Sequence, residues 1–146
     1  MVSLEVRVRF RAPPDRVFAL VSDHERFFTG FPVRSVRLSQ AGLSDRNGLG
    51  AVREICGPGI CFVEEIVLFE PGVAYEYRVR KINIPARHEF GRLDFLPCAE
   101  GTEVVWRTRY AILTPVAGPV LSRLAAPVFR SLFTTLLQRA RTRLGA

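Results

Sequence analysis

The sequence predicts an α+β domain, a curved antiparallel sheet of about seven strands around one long C-terminal helix, with two short helices after the first strand. Three observations carry this expectation. The first ten residues alternate apolar and charged side chains. Six more strand-like runs follow, separated by short turns rich in Gly, Pro, Asn and Asp. The tail then switches to an apolar recurrence at three- and four-residue steps.

Residues 2–11 place Val2, Leu4, Val6, Val8 and Phe10 on one face, and Glu5, Arg7, Arg9 and Arg11 on the other. APPD comes next. Proline suits the first helical turn, and Asp15 complements the positive end of the helix. Val17, Phe18, Leu20 and Val21 give that helix an apolar side, and a second short helix or turn holds residues 25–28. Strands are expected over 33–40, 49–57, 60–70, 73–83, 86–96 and 102–112. Their links, GLSDRNG, GPG, EPG and PCAEG, are short enough to make neighbours antiparallel. Pro85 marks a bulge or an edge. From Gly118 to Leu144 the positions Leu121, Leu124, Ala125, Val128, Leu132, Leu136 and Ala140 form a stripe, widened by Phe129, Phe133 and Leu137. Pro127 is expected to kink this helix or split it. With no repeat, low-complexity tract or linker, residues 1–146 read as one domain.

The turn ICGPGIC fixes a register. With Pro58 and Gly59 at the turn, Cys56 faces Cys61 and Arg53 faces Glu64. Arg53 and Glu64 then share the inner face with Ile55, Phe62, Ile66 and Leu68. An ion pair on the buried face of a sheet is costly to desolvate and contributes little net stability. It fits the polar part of a cavity. The same alternation turns Tyr75, Tyr77 and Val79 inward, and in the last hairpin pairs Gly91, Leu93 and Phe95 with Trp106, Val104 and Thr102. Glu89, Thr108 and Tyr110 also fall inward, whereas His88 falls outward and His24 lies on the surface or at a pocket mouth. The candidate ligand-binding set is Arg53, Glu64, Tyr75, Tyr77, Trp106 and Tyr110, with Phe27 and Phe28. With Phe31, those two phenylalanines form a lid over an apolar ligand or a plug at the end of the sheet. Val63, Val67 and Phe69 give their strand apolar residues on its outer side too, which a homodimer interface or a bulge would explain.

Composition narrows the function. The chain is 48% hydrophobic and carries a net charge of +7. Twenty of its 21 basic residues are arginines, spread along the chain and not interleaved with aromatics. A specific nucleic-acid groove is therefore not expected, and contact with a membrane surface or another anionic partner stays a secondary reading. No apolar run approaches the ~20 residues of a membrane span, and the N-terminus reads as a strand, so the cytoplasm is the expected compartment. Cys56 and Cys61 sit across the hairpin, close enough to oxidise, and in that setting the favoured reading is two half-buried thiols. His24 and His88 lack ligand spacing to any cysteine, so neither a metal nor a cofactor is expected. No nucleophile constellation stands out, and no catalytic residue is assigned.

Several segments resemble one family. FRAPPDRVFALVSDHERF, GLGAVRE followed by FVEEI and YEYRV, and GRLDF followed by GTEVVW are similar, in order and spacing, to the START/Bet v 1-like superfamily, and within it to the polyketide cyclase/dehydrase and lipid-transport group. SDHERFFTGFP is also similar to the opening of quinone-binding relatives, and the chain resembles small bacterial proteins of methanol-oxidation gene clusters. The resemblance spans nearly the whole chain. It implies a helix-grip fold and reversible binding or transfer of a small hydrophobic or aromatic molecule, such as a lipid, polyketide or quinone. The alternatives are a cyclase or dehydrase using the same cavity, with Glu64 as base and Arg53 or Tyr77 as donor, and a basic module that contacts RNA, a ribosome or an anionic membrane.

Overall fold

A computed structural model describes residues 1–145. Ten elements follow in order: β1 (Val2–Phe10), α1 (Pro14–Val21), α2 (His24–Phe27), β2 (Ser35–Gln40), β3 (Val52–Gly57), β4 (Ile60–Glu70), β5 (Ala74–Ile82), β6 (Ala86–Cys98), β7 (Gly101–Ile112) and α3 (Gly118–Leu144). The strands form one antiparallel sheet in the order β1-β7-β6-β5-β4-β3-β2. From β2 onward each strand pairs with the next in sequence, and β1 closes against β7. The expected helix-grip architecture is present.

Alternation along β1 builds the floor of the core. Leu4, Val6, Val8 and Phe10 are buried, and the arginines between them reach solvent. Two of those arginines, Arg7 and Arg9, converge on Glu103 of β7 at 2.9 and 3.2 Å. α1 packs Val17, Phe18, Leu20 and Val21 inward, and the ring of Phe18 meets Phe69, Tyr75 and Phe95 edge-on. The apolar end of the core is thus sealed by aromatic contacts from four elements.

Bulges curve the sheet and change which side chains face inward. In β4 the pairing steps from Ile66–Tyr77 to Leu68–Glu76, leaving Val67 as the extra residue. Beyond it Phe69 turns into the core and Leu68 turns out, the reverse of strict alternation. This bulge accounts for Val67 and Phe69 but not for Val63, which lies before it. In β6 the pairing steps from His88–Tyr110 to Phe90–Arg109, so Glu89 is extra. Glu89 therefore points to solvent, where it meets Arg109, and His88 turns inward. The β6–β7 register also sits two residues from expectation, with Gly91, Leu93 and Phe95 opposite Thr108, Trp106 and Val104. A two-residue shift keeps every side chain on its expected face.

α3 has two unlike halves. Leu136, Leu137 and Ala140 are buried in the core, whereas Val120, Leu124 and Val128 are 58%, 66% and 65% exposed. Pro127 does not divide the helix, which runs unbroken from Gly118 to Leu144. Pro127 and Arg123 both border the outer side of the helix, so the Arg123 carbonyl that loses its helical partner remains open to water. Replacing Leu136 by Ala should cost about 2–5 kcal/mol of stability, and Leu124→Ala under about 0.5 kcal/mol, both read by urea denaturation.

Candidate functional site

Arg53 and Glu64 face each other across β3 and β4, as the turn requires. Gly59 supplies the left-handed residue of that turn, at φ 74°. Both charged side chains are 1% exposed. The structure adds a third member, His24. It is not at the surface but 1% exposed, because the α1–α2 turn drops the start of α2 into the sheet. Its Nδ1 lies 2.6 Å from Glu64 Oε1, and Arg53 Nε lies 3.3 Å from the same oxygen. Arg53 Nη1 donates to the Ser22 carbonyl at 3.1 Å. The remaining guanidinium nitrogens, Nε and Nη2, have no aligned acceptor, so Arg53 holds Glu64 mainly by charge.

Burial and the Arg53 charge lower the His24 pKa to about 4, against the opposing pull of Glu64. The imidazole is therefore neutral at pH 7. The Tyr75 hydroxyl and His24 Nε2 share a hydrogen bond at 2.9 Å, the same hydroxyl lies 3.4 Å from the Val21 carbonyl, and Nδ1 faces the carboxylate. Burial opposes ionisation of Glu64, but His24 and Arg53 outweigh it and hold its pKa below the usual value.

In front of this cluster lies a cavity of about 390 Å³ between the sheet and α3. Ile55, Phe62 and Val79 from the sheet, Phe28 from the α2 end, and Phe129 and Phe133 from α3 give it apolar walls. Glu64, Tyr77, His88 and Thr108 are its inner polar groups. Trp106 stacks on Phe133 with ring centres 3.9 Å apart and donates its indole N–H to the Tyr77 hydroxyl at 2.9 Å. That hydroxyl keeps its own proton available, and burial raises its pKa, so it stays a donor. His88 stacks on Tyr77. It accepts from the Val79 N–H and donates through Nε2 to Thr108, which passes its proton to the Phe90 carbonyl. This chain fixes His88 as a neutral ring, and burial lowers its pKa to about 4.

Of the expected set, Glu64, Tyr77, Trp106, Tyr110 and Phe28 line the cavity. Arg53, Tyr75 and Phe27 do not. They stand behind the wall, Arg53 and Tyr75 on the far side of the Glu64–His24 contact and Phe27 packed against Phe28 and Trp106. Tyr110 spends its hydroxyl on the Ser122 carbonyl of α3 at 2.7 Å. Phe31 is 80% exposed, so only Phe28 of the three phenylalanines closes the cavity end. The two histidines escape sequence reasoning for separate reasons. His24 sits in a helix too short to display a period. The bulge at Glu89 inverts the face of His88. At the mouth, Cys56 and Cys61 form a disulfide, not the expected pair of thiols, because the cross-strand register sets their Cα atoms 4.2 Å apart. Among the described residues no cluster of His, Cys, Asp or Glu could hold a metal.

A curved antiparallel sheet closed over a cavity by one long helix is a helix-grip fold. Over residues 1–145 the sequence matches the model of the polyketide cyclase / dehydrase and lipid transport family, and the chain belongs to that family. No curated protein matches it. Among solved structures it resembles TTHA0849 from Thermus thermophilus, at 22% identity and TM-score 0.79 over 97% of this chain and 96% of that one. It also resembles a START superfamily protein from Mycobacterium smegmatis, at 16% identity and TM-score 0.75 over 97% of each chain. A third likeness is to XoxI from Bacillus cereus, at 18% identity and TM-score 0.72 over 100% of this chain and 99% of that one. At these identities the likeness is one of fold.

Two outcomes test the site. Stability should fall as pH drops from about 6.5 to about 4, because the unfolded chain binds protons at its histidines before the folded chain does. The His24 contribution is about 3 kcal/mol, present in full above its unfolded pKa and lost on approach to its folded one. Urea denaturation from pH 7 to pH 4 should show this slope, and His24→Gln should reduce it while leaving the His88 part. Gly91 provides the second test. A Cβ built there would lie 2.0 Å from the Tyr77 ring. Gly91→Ala should therefore cost about 1–3 kcal/mol and shift Trp106 emission, since Tyr77 carries the indole hydrogen bond.

Proposed function

We propose that the protein binds and carries a small hydrophobic or aromatic molecule in the cavity beneath α3. The observation that supports this most directly is the lining itself, apolar walls around a short row of polar groups, Glu64, Tyr77, His88 and Thr108, on four neighbouring strands. About 390 Å³ suits a molecule of a few fused rings or a short acyl chain. The ligand's flat part lies against Trp106, Phe28 and Phe133. Its polar end is a hydroxyl or enol, which donates to Glu64 and accepts from Tyr77. Arg53 and His24 act from behind by keeping Glu64 ionised.

The same electrostatics weigh against a cyclase or dehydrase reading. A base must take a proton in the transition state, and a carboxylate held between an arginine and a histidine has its charged form stabilised. His88 is satisfied on both ring nitrogens and has no free lone pair to serve as base. Binding without turnover is the function this arrangement supports best.

Trp106 is the sole tryptophan and lines the cavity, so its fluorescence reports occupancy without a label. Titration with 1-naphthol should quench or shift it saturably. Tyr77→Phe should weaken that binding about two- to tenfold, the worth of one hydrogen bond, and naphthalene should bind the unaltered protein more weakly than 1-naphthol. Native mass spectrometry of protein purified from a cell extract should reveal a co-purifying apolar molecule. No Trp106 response to any apolar probe, with no co-purifying species, would sink the proposal.

A further inference from the structure

The first half of α3 and the loop before it form an apolar surface that the fold does not cover. Val116, Val120, Leu121, Leu124 and Val128 are exposed, from 39% at Leu121 to 99% at Val116. On the helix they fall on one side, opposite the face through which Phe129 and Phe133 line the cavity. Val116 is also held at φ 65°, a left-handed conformation that β-branched residues adopt only at a cost. In that conformation its apolar side chain stands fully in solvent.

Charge indicates what meets this surface. Residues 104–146 contain seven arginines and no acidic residue. Of the seven, Arg107 and Arg109 pair with Asp94 and Glu89 on the sheet, and Arg139, Arg141 and Arg143 turn to backbone carbonyls, which leaves Arg123 and Arg130 beside the apolar face with no acidic neighbour in their own segment. Arg123 and Arg130 flank the stripe and open, with Ser131 and Thr134, onto a groove along the outer side of α3. Arg123 makes no ion pair or hydrogen bond among the described residues, and Arg130 is tied only to the Glu5 carbonyl. A second copy of this face would set arginines against arginines. A surface that is apolar in its centre and anionic around it would satisfy both features. α3 is apolar and long enough to cross a bilayer by length and composition, but its second half is built into the core through Leu136, Leu137 and Ala140. It can therefore lie on a bilayer and not cross one.

We propose that this face docks the protein on the surface of an anionic phospholipid bilayer. The apolar side chains enter the headgroup boundary, and Arg123 and Arg130 engage phosphate groups. The inference rests on the outer face of α3 and does not require the cavity to bind anything.

Co-sedimentation with vesicles of phosphatidylcholine alone, and of phosphatidylcholine with one quarter phosphatidylglycerol, tests it. The expected result is binding to the anionic vesicles that weakens as salt rises. A Leu124→Ser, Val128→Ser double variant should lose about tenfold or more in affinity. Arg123→Gln should lose about fivefold on anionic vesicles only. Val116→Asp, outside the helix, should weaken binding without altering the fold, and Leu43→Ser, at a distant exposed leucine, should change nothing. Absence of vesicle binding would overturn the proposal. So would equal binding by the Leu124, Val128 and Val116 variants, which would leave only diffuse charge attraction. A vesicle-free dimer in sedimentation velocity that these variants dissociate, with no lipid binding, would also overturn it in favour of self-association.

Discussion

The arrangement depends on one buried carboxylate. Glu64 is almost wholly removed from water and remains charged because His24 and Arg53 reach the same oxygen from two directions. Each of the three comes from a different element, and Arg53 also holds the carbonyl that ends α1. Such a cluster adds little to stability over an apolar replacement, yet loss of one member strands the others. It therefore enforces a specific placement of α2 against β3 and β4. The mouth of the cavity, the position of Phe28 and the angle at which the chain leaves α2 all follow from it.

A second constraint runs through the other side of the cavity. Gly91 lets the Tyr77 ring lie against the β6 backbone, and in that position its hydroxyl accepts the Trp106 indole proton. Trp106 stacks on Phe133 and so links the sheet to α3. Charge orders one wall and aromatic contact orders the other. The polar groups that reach the interior are few because most hydrogen-bonding capacity, including that of His88, Thr108 and Tyr110, is spent within the protein.

Much of this is legible in the sequence because short turns transmit register. ICGPGIC alone sets Arg53 opposite Glu64, and the structure keeps that pairing. The tail's periodicity locates α3 from Gly118 to Leu144, since 27 residues give a long signal. What stays hidden is non-local or irregular. A bulge adds one residue with no fixed chemical signature, and it reverses the faces of His88 and Phe69. His24 joins Glu64 across 40 positions of chain, and only its setting among Phe27, Phe28 and Val21 hints at burial. The distinction between lining the cavity and standing behind it depends on depth, which alternation does not encode. For that reason alternation places Arg53 and Tyr75 on the inner face without showing that they stand behind the cavity wall.

The division between spent and unspent side chains bears on how such a domain diversifies. Arg53, Glu64, His24, Tyr77 and Gly91 are interlocked with their neighbours, so a change at one demands compensation around it. Ile55, Phe62 and Val79 contribute only shape, and each can exchange for another apolar residue at modest cost. Selectivity for one molecule over another can thus drift through the walls while the polar end stays constant. One backbone could acquire many ligands by small steps, none of which passes through an unfolded intermediate sequence.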